Sequence, residues 1–355
     1  MPVQIELTRG MFTDGETSLG SMGEFKLSLF RYASGTEALR ISNSRGQIVV
    51  LPFRGQQIWR AVFDGRDLSM KSMFDEPVDS PVYLESYGAF FIHCGMSAMG
   101  APGPGDRHPL HGEMPNAPFQ KAWVEFDEAN GSLKIGGSFR YAVAFSTHYL
   151  ATATVQMTAG SSLLDIDLHV DNQKQTPMDL MYLAHANFRP VDNGELIYSA
   201  PYTAEAVRVR QVIPAHITPK PGYADFIAEL AKEPKIHHVL QPGMGFDPEI
   251  VFTIDMEADA DGFVHALQKR PDGTSDYIRY RRADASTCIR WICRTPDQDA
   301  IGMAFPATAE TEGYTAEKAK GNLVELAGGK RWSIAMRLGV LGQQETAEII
   351  AKLNR

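Results

Sequence analysis

The segment Leu164-Asp165-Ile166-Asp167-Leu168-His169-Val170-Asp171 alternates four apolar side chains with four polar ones. Successive side chains of a strand point to opposite faces, so the pattern predicts an antiparallel strand with one face on a core and the other in water. Weaker runs of the same period occur at Ala38 to Leu51, Leu133 to Phe145, Tyr149 to Met157, Ile250 to Met256, Cys288 to Arg294 and Trp332 to Leu341, separated by Gly, Pro, Asp and Asn. Helical spacing is confined to Tyr223 to Lys232, with Phe226, Ile227 and Leu230 apolar, and to Glu345 to Leu353, with Ile349, Ile350 and Leu353 on one side. The chain reads as mostly β, with a few short peripheral helices.

At 355 residues the chain is long enough for two average domains, but large β units often exceed that average. No repeat, low-complexity tract or composition shift marks a linker, so one domain over residues 1–355 is expected. The formal charge of −9 is spread along the chain. Without a clustered basic face there is no means of releasing nucleic-acid counterions, and the same balance repels anionic membranes. The start of the chain lacks the basic and apolar pattern of a signal peptide, and no apolar run is long enough to span a bilayer, so a cytoplasmic protein is expected. Cys94, Cys288 and Cys293 are odd in number and fit neither a disulfide framework nor a structural zinc site.

Three segments carry candidate chemistry. His111 follows the crowded Gly100-Ala101-Pro102-Gly103-Pro104-Gly105 and precedes Gly112, which permits close backbone approach. A long loop unable to propagate a helix or central strand is more often functional than decorative. His185 closes the apolar stretch Leu180-Met181-Tyr182-Leu183-Ala184, at a strand end where a rigid scaffold presents catalytic groups. Glu310-Thr311-Glu312-Gly313 supplies carboxylates late in the chain. Two imidazoles and a carboxylate gathered from distant segments are what a proton-transfer site needs. Taken singly, each also has a plain reading: a turn-capping histidine, a core histidine, and solvated acids.

The order Leu110-His111-Gly112, then His185-Ala186-Asn187-Phe188, then Gly245-Phe246-Asp247, then Pro306-Ala307-Thr308-Ala309-Glu310-Thr311-Glu312-Gly313 resembles the aldose 1-epimerase (galactose mutarotase) superfamily. It is more similar still to a divergent branch described as a domain of unknown function. The resemblance implies a large antiparallel β-sandwich, the galactose mutarotase-like supersandwich, binding a small-molecule sugar. It implies an isomerase in which a carboxylate takes the anomeric proton while a histidine protonates the ring oxygen. Carried over by motif, His185 is the acid, His111 the second, substrate-orienting histidine, Glu312 the base, and Asp247 and Asn187 substrate ligands. Such chemistry needs no metal or organic cofactor.

This chain departs from the pattern at Glu113, where a second glycine is usual, and at His185-Ala186-Asn187-Phe188, where His-Pro-Tyr-Phe-Asn is usual. Spacing alone does not choose between Glu310 and Glu312 as base, and Glu312 is taken for its adjoining glycine. Arg54 is either a donor fork for substrate or a plain surface arginine. His93 and Arg107 flank the Gly/Pro-rich loop and join the expected substrate contacts. A metal-dependent sugar isomerase or lyase using His93, His108, His111, His185 and a glutamate is one competing reading, although no His-x-His or His-Glu-x-x-His spacing is present. A carbohydrate-binding protein without turnover is another. The chain is expected to be a monomer or, through a free edge strand, a homodimer.

Overall fold

The computed structural model describes residues 2–213 and 218–353. Two antiparallel sheets, of nine and thirteen strands, carry the molecule. Leu163–Asn172 lies in the nine-stranded sheet between Thr147–Thr158 and Arg331–Leu341, and every second side chain along it is buried. On its solvent face Asp165 and Asp171 meet their register partners Arg337 and Arg331 at 2.5 and 2.8 Å. Surface pairs of this kind contribute at most about 1 kcal/mol, so the buried apolar side chains set the register.

The run from Ala38 to Leu51 is two strands, Glu37–Ser42 and Gly46–Leu51. Asn43 turns the chain between them by accepting the amide protons of Arg45 and Gly46, each at 3.0 Å, an Asx turn that hydrophobic period does not reveal. The helix Tyr223–Lys232 has the expected bounds, and the terminal helix, Gln343–Leu353, begins two residues earlier than expected. A third helix, Tyr314–Lys320, was not expected, since at seven residues it is too short for a periodic signal. It is fixed by the fully buried Glu317, whose carboxylate accepts from the Glu310 amide at 3.0 Å and the Asn322 side chain at 2.7 Å.

The strand Met178–Ala186 lies inside the thirteen-stranded sheet, paired with Phe91–Met96 and, through Leu183 opposite Ala307, with Asp299–Ala307. Nearly every residue of it is buried, because both faces of this part of the sheet are covered. Tyr182 points toward the other sheet, where its ring meets Trp332 at 5.2 Å. By alternation Leu183 and His185 point to the opposite face. One hydrophobic cluster contains buried residues of both sheets, including Ile166, Ile334, Leu183 and Ile289. Among the described residues no helix is long and apolar enough to cross a membrane.

Candidate active site

On the outer face of the thirteen-stranded sheet, opposite the inter-sheet core, lies a cavity of about 330 Å³ into which His111 and His185 both project. Their ring centroids are 5.6 Å apart, edge to face. This volume is at the lower end of the usual range for small-molecule sites, which suits a ligand of monosaccharide size.

His185 is reached through its strand and held by its neighbours. The Asn187 side chain donates to the Ala89 carbonyl at 2.9 Å, which turns its own oxygen toward His185 Nδ1 at 2.6 Å. Tyr87 donates to the same oxygen at 3.0 Å. The proton of the neutral imidazole therefore sits on Nδ1, leaving Nε2 as the nitrogen available to a ligand. Phe305, Tyr87 and Trp291 pack around the ring with centroids at 4.1, 5.4 and 5.6 Å. Burial in this aromatic shell, with nearby His111, pushes the His185 pKa well below the ordinary histidine value, and the Asn187 hydrogen bond only partly opposes it.

His111 arrives on the Gly/Pro-rich loop with a left-handed backbone, φ 60°. Such a conformation in a residue other than glycine persists only when its surroundings hold it. Here its amide donates to the Gly100 carbonyl at 3.0 Å, and its carbonyl accepts from the Gly95 amide at 2.8 Å. Gly100 and Gly112 also have positive φ, and a Cβ on either would meet a carbonyl oxygen at 2.4 and 2.2 Å, so the loop is pressed on its neighbours. Glu113 ties it down from beneath. Half-buried beside the loop, its carboxylate accepts from the Ser97 amide, the Ser97 hydroxyl and the Tyr149 hydroxyl, each at 2.9 Å. Desolvation raises its pKa against these bonds.

The carboxylate in the cavity wall is that of Glu249, on the strand Phe246–Ile254. The indole N–H of Trp291 donates to it at 2.6 Å and the Arg210 guanidinium at 2.8 Å. Trp291 thus links the carboxylate to His185, touching one with its N–H and meeting the other ring edge to face.

The expected site residues separate into two groups. His111 and His185 line the cavity, and Asn187 lies fully buried behind His185 as its positioning partner. His93 lies on the other face of the sheet, fully buried, with Nδ1 at 2.7 Å from the Tyr182 hydroxyl. It belongs to the inter-sheet core. Arg54 is buried against Asp79 at 3.0 Å and the Ser80 carbonyl, outside the cavity wall. Asp247 forms an ion pair with Lys220, while the next two residues, Pro248 and Glu249, reach the wall. Arg107 lines a second, polar cavity of about 690 Å³ with Asp106, His108 and Tyr314. Glu310 pairs with Lys320 at 2.7 Å, and of the acidic segment Thr311, not Glu312, lines the cavity of the two histidines. All three cysteines are buried and unpaired, and Cys293 contributes to the cavity wall. Among the described residues no group of three or more His, Cys, Asp or Glu side chains is placed to hold a metal ion.

Glu249, Phe305 and Tyr83, whose ring lines the cavity 4.9 Å from that of His111, carried no usable signal in the sequence. Glu249 follows Pro248 in a strand whose pairing shifts register between Phe246 and Ile250, so period two does not extend through it.

The family pattern described as "Domain of unknown function (DUF4432)" matches residues 33–340. Among solved structures, a "putative aldose 1-epimerase" from Klebsiella pneumoniae is similar at TM-score 0.81 and 17% identity, over 100% of this chain and 95% of that one. A galactose mutarotase-like protein from Clostridium acetobutylicum is similar at TM-score 0.62 and 12% identity, over 89% and 98%. Galactose 1-epimerase from Lactobacillus acidophilus is similar at 0.53 and 13%, over 92% and 98%. At these identities the likeness shows the fold, a galactose mutarotase-like β-sandwich. No curated protein matches the sequence.

Proposed function

The chain belongs to the family described as "Domain of unknown function (DUF4432)", and from that premise we propose that it is a cofactor-independent isomerase of the aldose 1-epimerase kind, interconverting the anomers of a free or modified monosaccharide. The observation that carries this reading is the meeting of His111 and His185, from segments 74 positions apart, at 5.6 Å in one aromatic-walled cavity. Anomer exchange requires proton transfer at two oxygens bonded to one carbon, and positioned acid and base groups each supply about 10²–10⁴-fold in rate. Aromatic faces pack on the C–H surfaces of a sugar, while His185 Nε2 and His111 reach its oxygens. His185 protonates the ring oxygen and His111 orients the substrate. A sugar bound from solution is the partner this reading requires.

The test is anomer exchange measured by NMR across neutral, acidic and sulfonated monosaccharides, with wild type and His185→Asn. Accelerated exchange of one sugar, lost in a folded His185→Asn protein, is the expected result. Saturable binding of a sugar with no acceleration would replace this reading with that of a carbohydrate-binding protein.

A further inference from the structure

We infer that Glu249 is the base of the site, the group that takes the anomeric proton, in place of either acid of the Glu310-Thr311-Glu312-Gly313 segment. The inference rests on the isomerase reading above and assigns its proton acceptor. Glu249 is in the wall of the cavity that holds both histidines. Of the two alternative acids, Glu310 is tied to Lys320 at 2.7 Å, and Glu312 is absent from that wall although its neighbour Thr311 is in it.

The surroundings of Glu249 orient it for this task. Trp291 Nε1 donates to Oε2 at 2.6 Å and Arg210 Nη2 to Oε1 at 2.8 Å, so each oxygen is held by one donor. An ionised carboxylate has about four acceptor sites, which leaves room for a sugar hydroxyl as a further donor. The Glu249 and Arg210 side chains are only 15% and 14% exposed, so the pair is shielded without being sealed. Trp291 joins base to acid, because its ring packs on His185 at 5.6 Å. That contact gives the two groups a fixed relation across the cavity, as positioning for acid–base catalysis demands.

The step balances without a co-reactant. Glu249 takes the proton of the anomeric hydroxyl, the C1–O1 bond becomes a carbonyl, and the C1–O5 bond breaks with its electron pair going to O5. O5 takes a proton from Nε2 of the His185 imidazolium. After rotation about C1–C2 the same transfers run in reverse, closing the ring on the other face of the carbonyl and returning both protons.

The experiment compares kcat and KM for wild type, Glu249→Gln, Glu249→Asp and Glu312→Gln, on the sugar that wild type exchanges fastest. Glu249→Gln retains a carbonyl oxygen for one of the two donors and is expected to lose about 10²–10⁴-fold in kcat. Glu249→Asp, which keeps the charge but retracts it, should lose less kcat, and it serves if the glutamine variant does not fold. A ranking in which Glu312→Gln is the more damaged enzyme overturns the inference while leaving the isomerase reading standing. Absence of exchange by wild type with every sugar overturns both.

Discussion

The Nδ1 proton of His185 is committed to Asn187 Oδ1 at 2.6 Å, and burial disfavours a second proton on the ring. At neutral pH the imidazole is therefore neutral, and the imidazolium needed to protonate a ring oxygen is a minor species that grows as pH falls. Anomer exchange should climb on acidification from pH 8 to below 6, by up to about tenfold per pH unit, where a histidine of ordinary pKa would already level off. An exchange rate that is flat between pH 8 and 6 removes His185 from the acid role. Asn187→Asp places a carboxylate beside Nδ1, which stabilises the charged ring and should move this rise upward by about 1–3 pH units. NMR titration of the His185 ring in both proteins reads the same shift without turnover. In the isomerase reading burial lowers the pH range of the histidine, and the asparagine, which does not line the cavity itself, only partly restores it.

At the scale of the element, the Gly/Pro-rich loop owes its place to Glu113, whose carboxylate joins the loop to Ser97 after the strand Phe91–Met96 and to Tyr149 on the strand Thr147–Thr158. Glu113→Ala removes the acceptor of all three bonds and leaves the fully buried Tyr149 hydroxyl unpaired, at a cost of about 1–3 kcal/mol. Urea unfolding should show that loss, together with a weaker grip on His111 seen as a higher KM in exchange. This tether was not legible in advance: Glu113 stood out only as a departure from the related pattern, with nothing to say where its carboxylate points. Legibility followed solvent exposure. Leu163–Asn172 has one wet face and announced itself by alternation, whereas Met178–Ala186 is covered on both faces and showed only an apolar run, with His185 at its end. His93, on the neighbouring strand, gave the same kind of signal. Only pairing register separates them: His93 lies opposite Ala184, one step from His185, and so faces the core. Glu249 was hidden by the register shift beside Pro248, and Asp247, two positions earlier, carried the motif.

Over the whole molecule the packing of the sheets has made histidine a neutral core residue. Burial depresses the pKa values of His93, His185, His237, His238 and His265, those of His93 and His238 to about 3. His93 sits between the sheets, and His237 accepts a hydrogen bond at 2.8 Å from the fully buried guanidinium of Arg290. In the unfolded chain each of these rings takes up a proton near pH 6.5, while in the fold they resist protonation until far lower. Between those limits the unfolded state binds more protons, so stability is complete above about pH 6.5 and is lost as pH falls toward about 3. Each fully titrating ring contributes a slope of about 1.4 kcal/mol per pH unit. From His93 alone, urea unfolding at pH 6 and at pH 5 should differ by about 1 kcal/mol, with the other buried rings steepening the change. That window lies above the ordinary range of exposed carboxylates, so the loss reports on the histidines. His93→Gln removes one titrating ring and should flatten the slope by about one such increment, even though it costs stability at neutral pH through the altered bond to Tyr182. A wild-type stability independent of pH between 7 and 5 would mean that these rings are hydrated in solution, and with it the dry inter-sheet packing around His93 would have to be abandoned.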